Sequence, residues 1–291
     1  MNIGIIGQGF VGSAIREGLK EHYKINTFDI DASKCNSSHE WVCLDSDIIF
    51  MCLPTPMRKD GSCDTRILET AIEKVEKVCK ENGRSNTRPI LVIKSTITPG
   101  TTDRIGKSYV DRIDGHPEMH ICFSPEFLTE ANSFNDFKNQ SRIIIGSDSM
   151  EASTVVAKMF KKVFPEIPII QTHPKYAEMT KYFINCFLAT KVTFANQMYE
   201  ICANNNIRYD DVLSLALFDE RIGKTHLKVP GPDGDFGYGG HCFPKDLAAT
   251  IEFGSRNNAN PRFLREVEAF NNRIRKLRDW EDMKGRAVSD D

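Results

Sequence analysis

Short apolar runs alternate with amphipathic stretches over the first 172 or so residues of the chain. Seven runs predict strands because they are short, continuous and rich in isoleucine, valine and phenylalanine, at residues 2–6, 25–28, 48–52, 90–94, 120–123, 142–145 and 167–171. Apolar residues at helical spacing predict helices at residues 10–21, 65–81, 101–113 and 151–163. Continuous apolar strands that alternate with helices are typical of a parallel sheet covered on both faces. We therefore predict a doubly wound α/β domain over residues 1–173.

The pattern changes at Pro174, where one long helix is predicted to run to about Asn205. One side of it carries Tyr176, Met179, Phe183, Phe187, Phe194, Met198 and Ile201. The opposite side is also largely apolar, with Ile184, Leu188, Val192, Ala195 and Tyr199. A helix that is apolar all round is buried, either in a large core or at a subunit interface. A glycine- and proline-rich loop over residues 223–240 and a last helix from Pro261 to about residue 282, capped by Asn260, complete an all-α domain over residues 174–291.

Composition excludes several classes of protein. The 291 residues carry a net charge of −2, which gives no indication of nucleic acid or of a membrane surface as partner. No apolar run reaches the roughly 20 residues that span a bilayer, and the N-terminus reads as a strand and turn rather than a signal peptide. The nine cysteines form no CxxC pair and the histidines show no metal-ligand spacing, so no metal site is predicted. This cysteine usage is typical of a reducing cytoplasm, where we expect the protein to be.

The sequence GQGFVG at residues 7–12 lies between an apolar strand and a helix. Gly7, Gly9 and Gly12 allow the backbone to approach a pyrophosphate, which the start of a helix attracts. Asp29, at the end of the second strand, can accept hydrogen bonds from both ribose hydroxyls and would repel a 2′-phosphate, so NAD is favoured over NADP. Lys34 lies close enough in sequence to reach the same ribose. This pattern predicts a Rossmann-type domain; a purely structural tight turn is the alternative.

Polar side chains follow three further strands. Thr55 follows the third strand, Ser95 and Thr96 follow the fourth, and Glu126 and Glu130 follow the fifth. Ligands of open α/β sheets bind beyond the carboxyl ends of the strands, so these side chains are candidates for contacts with cofactor, substrate or water. Helix capping for the hydroxyls and solvated surface positions for the glutamates are the simpler alternatives.

Two polar residues interrupt an apolar face of the long helix. Lys181 and Asn185 are four residues apart and therefore share that face. An ammonium and an amide among apolar neighbours are costly unless they are paired or used. In a functional site they would hold the oxygen of a reacting alcohol. A lysine that extends to solvent beside a buried structural amide is the alternative.

Cys242 lies in a glycine-rich turn, whereas several of the other cysteines lie in apolar runs typical of buried filler. His241 and Lys245 are close in sequence and would favour its thiolate, and Asp246 would orient a base or a water. A reactive thiol in the same chain as a dinucleotide-binding sequence suggests oxidation through a covalent thioester.

Together these segments resemble the UDP-glucose/GDP-mannose dehydrogenase family, and most closely its UDP-glucose 6-dehydrogenase group. The glycine turn, CLPTP at 52–56, KST at 94–96, SPEFLTE at 124–130, KYFIN at 181–185, RIG at 221–223 and GYGGHCFPKD at 237–246 occur in the order typical of that family. The resemblance implies NAD as cofactor and a nucleotide sugar, UDP-glucose first, as substrate. The implied reaction oxidises a CH₂OH group to a carboxylate in two steps, and the long helix would form the core of a homodimer.

The resemblance also implies roles for individual residues. Cys242 would be the nucleophile, Lys181 and Asn185 would hold the reacting oxygen, and Thr96, Glu126 and Asp246 would handle water and protons. The implied NAD contacts are Gly7, Gly9, Phe10, Val11, Gly12, Asp29, Lys34, Thr55, Thr96, Glu130 and Lys245. The implied substrate contacts are Glu126, Phe127, Leu128, Lys181, Asn185, Arg221, Phe236, Gly237, Tyr238, Gly239 and Gly240. Of these, Arg221 would reach the substrate of a neighbouring subunit.

The chain departs from the family in one respect. Members carry a third, C-terminal α/β domain that grips the nucleotide, and this sequence ends at Asp291, around where the connection to it would begin. We therefore expect that domain to be absent and substrate affinity to be reduced. Two alternatives remain. One is a β-hydroxyacid dehydrogenase, which also combines a Rossmann domain with Lys-x-x-x-Asn on a long helix and needs no thiol. The other is a non-catalytic NAD-binding dimeric subunit.

Overall fold

The computed structural model describes residues 1–84, 89–108 and 119–290 and consists of two compact units. The first unit comprises Met1–Thr55 and Thr65–Lys181, and the second comprises Pro56–Asp64 and the chain from Tyr182 onward. The division falls inside a continuous helix, and it assigns a short segment between two elements of the first unit to the second. The predicted domain boundary between residues 173 and 174 stays a prediction.

A seven-stranded sheet forms the centre of the first unit, in the order β2-β1-β3-β4-β5-β6-β7. The strands are β1 (Asn2–Ile6), β2 (Lys24–Phe28), β3 (Ile48–Met51), β4 (Ile90–Ile93), β5 (Ile121–Phe123), β6 (Ile143–Gly146) and β7 (Ile169–Thr172). Each corresponds to a predicted apolar run. Neighbouring strands are parallel except β5 and β6, which pair antiparallel through Phe123 and Gly146. The sheet is therefore mostly parallel, as predicted. The apolar runs could not reveal the antiparallel pair, because continuous apolar residues report burial on both faces and not strand direction.

Helices cover both faces of this sheet. They are α1 (Phe10–Leu19), α2 (His39–Asp45), α3 (Arg66–Glu81), α4 (Thr101–Lys107), α5 (Ser133–Lys138) and α6 (Met150–Val163). Because side chains alternate along a strand, Ile49 and Met51 of β3 pack in one core with α3, whereas Ile48 and Phe50 pack in another with α1 and α6. The order β2-β1-β3 places a crevice at the carboxyl ends of β1 and β3, where ligands of such sheets bind.

Two helices of the first unit were not predicted from the sequence. The helices α2 and α5 have 7 and 6 residues, which is too short for an apolar period of 3.6 to be recognised. The predicted helix over residues 101–113 begins as expected at Thr101, and residues 109–113 lie outside the described residues.

The second unit is helical. The long helix α7 (Pro174–Asn204) begins in the first unit and continues into the second, where it is followed by α8 (Tyr209–Ala216), α9 (Cys242–Arg256) and α10 (Arg262–Ile274). The sequence predicted the position of α7 and missed α8 and α9. Cys242 is therefore the first residue of a helix rather than a residue within a glycine turn.

The last helix is shorter than predicted. Pro261 rather than Asn260 occupies the cap position of α10, without a side-chain cap hydrogen bond, and the helix ends at Ile274 rather than near residue 282. The chain turns out of the helix because Asp235 Oδ2 accepts the backbone amides of Lys276 and Leu277 at 3.1 and 2.9 Å. A short 3₁₀ turn, Asp279–Asp282, follows.

The segment Pro56–Asp64 joins the second unit through backbone pairing. Met57 forms bridges to Cys63 and to Val288. Its amide donates to Ala287 O at 2.8 Å, and its carbonyl accepts the amide of Ser289 at 2.8 Å. Residues from the early and the final part of the chain therefore share one strand-like pairing within this unit.

One side of α7 is exposed in the single chain, so of the two settings predicted for this helix, a large core or a subunit interface, a core within the single chain does not account for this side. Phe183, Phe187 and Phe194 are 70%, 57% and 62% exposed, and Tyr176 and Ile201 on the same side are also exposed. The opposite side is covered, with Ala195 buried. Among the described residues, no helix has the length and apolar character needed to cross a membrane.

Candidate active site

The turn between β1 and α1 requires glycine at two of its three fingerprint positions. Gly7 has φ +93°, and a Cβ atom added there would collide with the carbonyl of Cys52. A Cβ added at Gly12 would collide with the carbonyl oxygen of Gly7. At Gly9, which caps α1, an added Cβ would meet nothing within 4 Å. The first and third glycines thus build the turn, and the second leaves the start of the helix open to an anion such as a pyrophosphate.

Asp29 follows β2 and holds this turn. Its Oδ2 accepts the amide of Gln8 at 2.5 Å, and its Oδ1 accepts the amide of Asp31 at 2.9 Å. Lys34 is half-exposed and forms an ion pair with Asp31 at 3.4 Å. A carboxylate fixed beside the glycine turn is the acceptor that ribose hydroxyls need, so these residues suit the adenosine end of NAD.

The strand-end hydroxyls tie β3 and β4 together. Thr55 Oγ1 donates to Thr96 O at 2.7 Å, and Ser95 Oγ donates to Leu53 O at 2.6 Å while accepting the amide of Leu53 at 3.1 Å. These hydrogen bonds hold the side chains of Thr55 and Ser95 at the strand ends, and the predicted contact of Thr55 with the cofactor stays a prediction. Thr96 is buried at the same edge of the sheet.

Glu126 and Lys181 form a buried ion pair in the first unit. Lys181 Nζ lies 2.9 Å from Glu126 Oε1 and donates to its backbone carbonyl at 2.7 Å. Glu126 Oε2 accepts the amide of Leu128 at 2.6 Å, and the ring of Phe127 lies 5.5 Å from the ammonium. Burial acts to raise the pKa of Glu126, but the charge of Lys181 and these hydrogen bonds outweigh it and hold the pKa below its usual value. The carboxylate is therefore ionised and orients the ammonium.

Lys94 is a charged residue of this region that sequence reasoning missed. Its side chain is buried, and Nζ donates to Pro125 O at 3.1 Å and to Ser124 Oγ at 3.3 Å. Burial lowers its pKa to about 8. The motif KST contains this lysine, but a lysine at the end of a strand does not reveal its burial in the sequence.

The second unit gathers the other polar candidates around Asp246, which is 1% exposed. Asn185 Nδ2 donates to Asp246 Oδ2 at 2.5 Å, and Lys245 Nζ donates to Asp246 Oδ1 at 2.5 Å. Burial acts to lower the pKa of Lys245, but Asp246, Cys242 and Cys63 raise it well above its usual value. Cys242 is half-buried and opens α9 one turn before this network, and the start of a helix favours an anion.

The remaining candidates differ in their surroundings. Phe236, Gly237, Tyr238, Gly239 and Gly240 form the loop that leads to Cys242, with Tyr238 buried. The side chain of Arg221 is 90% exposed and pairs with Asp219. Glu130 is exposed at the start of a short 3₁₀ turn. The structure thus groups Glu126 with Lys181, and Asn185 with Lys245 and Asp246, whereas Arg221 pairs with Asp219 two residues before it.

A possible metal cluster lies elsewhere in the first unit. Asp103, Asp148 and His173 each bring one ligand atom within 4.8 Å of the others. However, His173 Nε2 lies 3.2 Å from Asp148 and Nδ1 accepts the amide of Lys175 at 3.2 Å, while the Lys175 ammonium lies 3.5 Å from Asp103. Since both ring nitrogens already have partners, these hydrogen bonds and the Lys175–Asp103 ion pair account for this cluster without a metal.

The glycine turn, the acidic end of β2 and the polar strand ends define a dinucleotide-binding α/β domain of the dehydrogenase type, followed by a helical unit that carries a cysteine at a helix start. Two family models match this chain. The NAD binding domain of the UDP-glucose/GDP-mannose dehydrogenase family matches residues 36–164, and the central domain of that family matches residues 175–273. The chain belongs to the UDP-glucose/GDP-mannose dehydrogenase family, as its motifs predicted.

Individual relatives agree with this assignment. UDP-glucose 6-dehydrogenase YwqF of Bacillus subtilis is 29% identical, over 94% of this chain and 66% of its own length. A UDP-glucose 6-dehydrogenase of Pseudomonas aeruginosa is 32% identical, over 80% of this chain and 50% of its own length. A UDP-glucose dehydrogenase structure from Pyrobaculum islandicum is 25% identical, with a TM-score of 0.82 over 94% of this chain and 68% of that chain. The chain thus spans two thirds or less of the length of these two curated relatives.

Proposed function

We propose that this protein is an NAD-dependent nucleotide-sugar 6-dehydrogenase that oxidises UDP-glucose to UDP-glucuronate in the cytoplasm. The observation that carries the proposal is Cys242 at the start of α9, one turn before the buried network of Asn185, Lys245 and Asp246. A simple alcohol dehydrogenase has no use for such a thiol. The choice of UDP-glucose rests on the names of the relatives.

The first unit would bind the cofactor. Gly9 and the start of α1 would face the pyrophosphate, and Asp29 would accept the hydroxyls of the adenosine ribose. Thr55, Thr96, Glu130 and Lys245 would complete the contacts. When bound, NAD supplies the acceptor for one hydride from the substrate carbon in each of two oxidations.

Lys181 and Asn185 would act on the oxygen of the substrate in the first oxidation. The alcohol loses its proton and a hydride to give an aldehyde, and the ammonium stabilises the negative charge that develops on oxygen. Glu126 lies 2.9 Å from that ammonium and holds it in place before the substrate binds. A water next to Thr96 or Asp246 would take the proton.

Cys242 would carry the second oxidation. Its sulfur adds to the aldehyde carbon while the oxygen takes up a proton, which gives a thiohemiacetal. The thiohemiacetal becomes a thioester when its carbon loses the second hydride and its hydroxyl group loses a proton. Water then attacks the thioester carbonyl, the carbon–sulfur bond breaks, and the acid and the thiol are released. Asp246 and Glu126 are the carboxylates that would handle the protons of this hydrolysis.

Hydride stoichiometry tests the proposal. Purified protein with NAD and UDP-glucose should form two NADH for each UDP-glucuronate, measured by absorbance and by chromatography of the sugar products. Cys242→Ser should reduce formation of the acid at least about 1,000-fold, because no thioester can form. Cys35→Ser, which changes a half-buried thiol of the first unit, is the matched control and should leave the stoichiometry at two.

Other outcomes would support other functions. One NADH per turnover, unaffected by Cys242→Ser, would indicate a dehydrogenase of the β-hydroxyacid type. NAD binding by calorimetry without turnover of UDP-glucose, GDP-mannose or UDP-N-acetylmannosamine would indicate a non-catalytic subunit. Turnover of one of the latter two sugars alone would change the substrate and keep the mechanism.

A further inference from the structure

A buried arginine lies at the end of α10 and contacts the loop over residues 236–240. The side chain of Arg275 is 2% exposed, and Nη2 donates to Asp233 Oδ2 at 2.6 Å and lies 3.5 Å from Asp279 Oδ1. Nη1 donates to Phe236 O at 3.4 Å, and Nε donates to Leu277 O at 2.9 Å. A buried guanidinium is tolerated only when its donors have partners, and here each of its nitrogens has one. The geometry of the group is therefore tightly specified.

Two further side chains hold the backbone of the same loop from inside the unit. Asp279 accepts the amide of Gly240 with both carboxylate oxygens, each at 3.1 Å. Asn271 accepts the amide of Tyr238 at 2.7 Å and donates to its carbonyl at 3.0 Å. Successive peptide groups before Cys242 are therefore fixed by α10 and the turn after it.

The fit is so close that the loop needs glycine for space. A Cβ atom added at Gly239 would collide with Arg275 Nη2 and with Asp279 Oδ1, and one added at Gly237 would collide with Asn271 Oδ1. Gly237 and Gly240 also have φ of +70°, a conformation that favours glycine. The glycines thus serve the contact with α10 as well as any contact with a sugar.

We propose that Arg275 is a positioning residue for Cys242. By holding Asp279 and the carbonyl of Phe236, Arg275 fixes Gly239 and Gly240, and these residues set where α9 starts and so where the sulfur of Cys242 lies. The consequence for catalysis rests on the proposed function. The proposal also states that loss of Arg275 loosens the loop and alters the reactivity of Cys242. That statement holds whether or not the protein has the proposed function.

The test compares Arg275→Gln with Arg273→Gln, which changes an exposed arginine of the same helix that lies over the ring of Phe270. Backbone amide exchange should become at least tenfold faster at Tyr238 and Gly240 in Arg275→Gln and stay unchanged in Arg273→Gln. Alkylation of Cys242 by iodoacetamide, followed by peptide mass spectrometry, should slow at least threefold, because a thiol at a helix start owes part of its reactivity to that position. With UDP-glucose and NAD, kcat should fall at least tenfold while the Kd for NAD stays within twofold.

A second variant covers the case in which Arg275→Gln does not fold. Gly239→Ala keeps the guanidinium and the carboxylate but forces them away from the loop, and it should produce the same changes in exchange and alkylation. Unchanged amide exchange and an unchanged alkylation rate in a folded variant would overturn the proposal. If the wild-type protein has no dehydrogenase activity, the proposed function fails, and the exchange and alkylation measurements still decide the role of Arg275.

Discussion

Lys94 and Lys181 are two buried ammonium groups that act on the same carboxylate, Glu126. Lys181 lies 2.9 Å from that carboxylate, whereas the hydrogen bonds of Lys94 go to neutral oxygens of Ser124 and Pro125. Among the described residues Lys94 therefore has no anion in hydrogen-bond contact, although its charge loses its hydration. It fixes the turn that carries Glu126 at a cost in stability that depends on pH.

The pKa of Lys94 gives the sign of this effect. Burial lowers it in the folded protein from 10.5 to about 8, so between these values the unfolded chain binds more protons than the folded one. Stability contributed by this group must therefore rise with pH across that window. The free energy of unfolding of the wild type relative to Lys94→Met should increase by about 2 kcal/mol between pH 7 and about 9.5.

Urea unfolding at several pH values measures this difference. Lys158→Met, which changes an exposed lysine of α6, is the matched control and should give a difference that does not vary with pH. A constant difference between the wild type and Lys94→Met would show that Lys94 is not desolvated in solution.

At the scale of secondary structure elements, Glu178 joins α7 to α4. Its side chain is fully buried, and it accepts the amide of Gly100 at 2.6 Å and both the amide and the hydroxyl of Thr102 at 2.8 and 2.6 Å. The cap residue of α4, Gly100, has no side chain of its own to accept these amides, so a neighbouring helix supplies the cap. Glu178 lies one turn before Lys181 and thus ties down the turn that carries it.

Glu178→Gln should lower the free energy of unfolding by roughly 2–4 kcal/mol, because a neutral amide replaces a buried charged acceptor of three hydrogen bonds. Thermal and urea unfolding would measure the loss. Glu200→Gln, at an exposed position of the same helix, should change stability by less than about 0.5 kcal/mol. Equal effects of the two substitutions would contradict the capping role.

The pattern of apolar residues predicted those helices and strands that are determined by their own short stretch of sequence. Apolar runs located every strand of the sheet, and α7 was located because its apolar residues continue for many turns. The pattern could not give the direction of β6 against β5, the end of α10 or the start of α9. These depend on contacts distant in sequence, such as Asp235 with the amide of Leu277. Pro244 lies in the first turn of α9, where proline is tolerated, so its presence did not exclude a helix.

The candidate site was predictable to a similar degree. Motifs identified residues that the structure brings together, such as Glu126 with Lys181 and Asn185 with Asp246. Lys94 was missed because its importance lies in burial, which a strand-end lysine does not reveal in sequence. The hold of Arg275 on the glycine loop was equally hidden, because it requires a turn that only the folded chain makes.

At the scale of the whole molecule, the exposed aromatic side of α7 leads to a proposed homodimer. Large exposed apolar surfaces of this kind are typical of protein–protein interaction sites. Phe187→Asp would place a charge in the middle of it, and we expect the dimer to weaken at least 30-fold, or about 2 kcal/mol. Light scattering after size-exclusion chromatography would measure the change in mass.

Phe263→Asp provides the control for that experiment. It introduces the same charge at a phenylalanine of α10 that is 64% exposed, so it should leave the mass unchanged if α7 forms the interface. A wild type that is monomeric at micromolar concentration, or a dimer that survives Phe187→Asp, would contradict the assignment of this surface.

The pairing of Met57 with residues 287–289 affects how the protein can be taken apart. A fragment that carries only the dinucleotide-binding unit as a continuous stretch would keep residues 56–64 but lose residues 287–289, which complete the backbone hydrogen bonds of Met57. Unsatisfied edges of this kind promote aggregation. Recombining either unit with a foreign domain therefore requires the exchange of two separate stretches of sequence. A chimera made with a single crossover point would lose the pairing of Met57 and misfold.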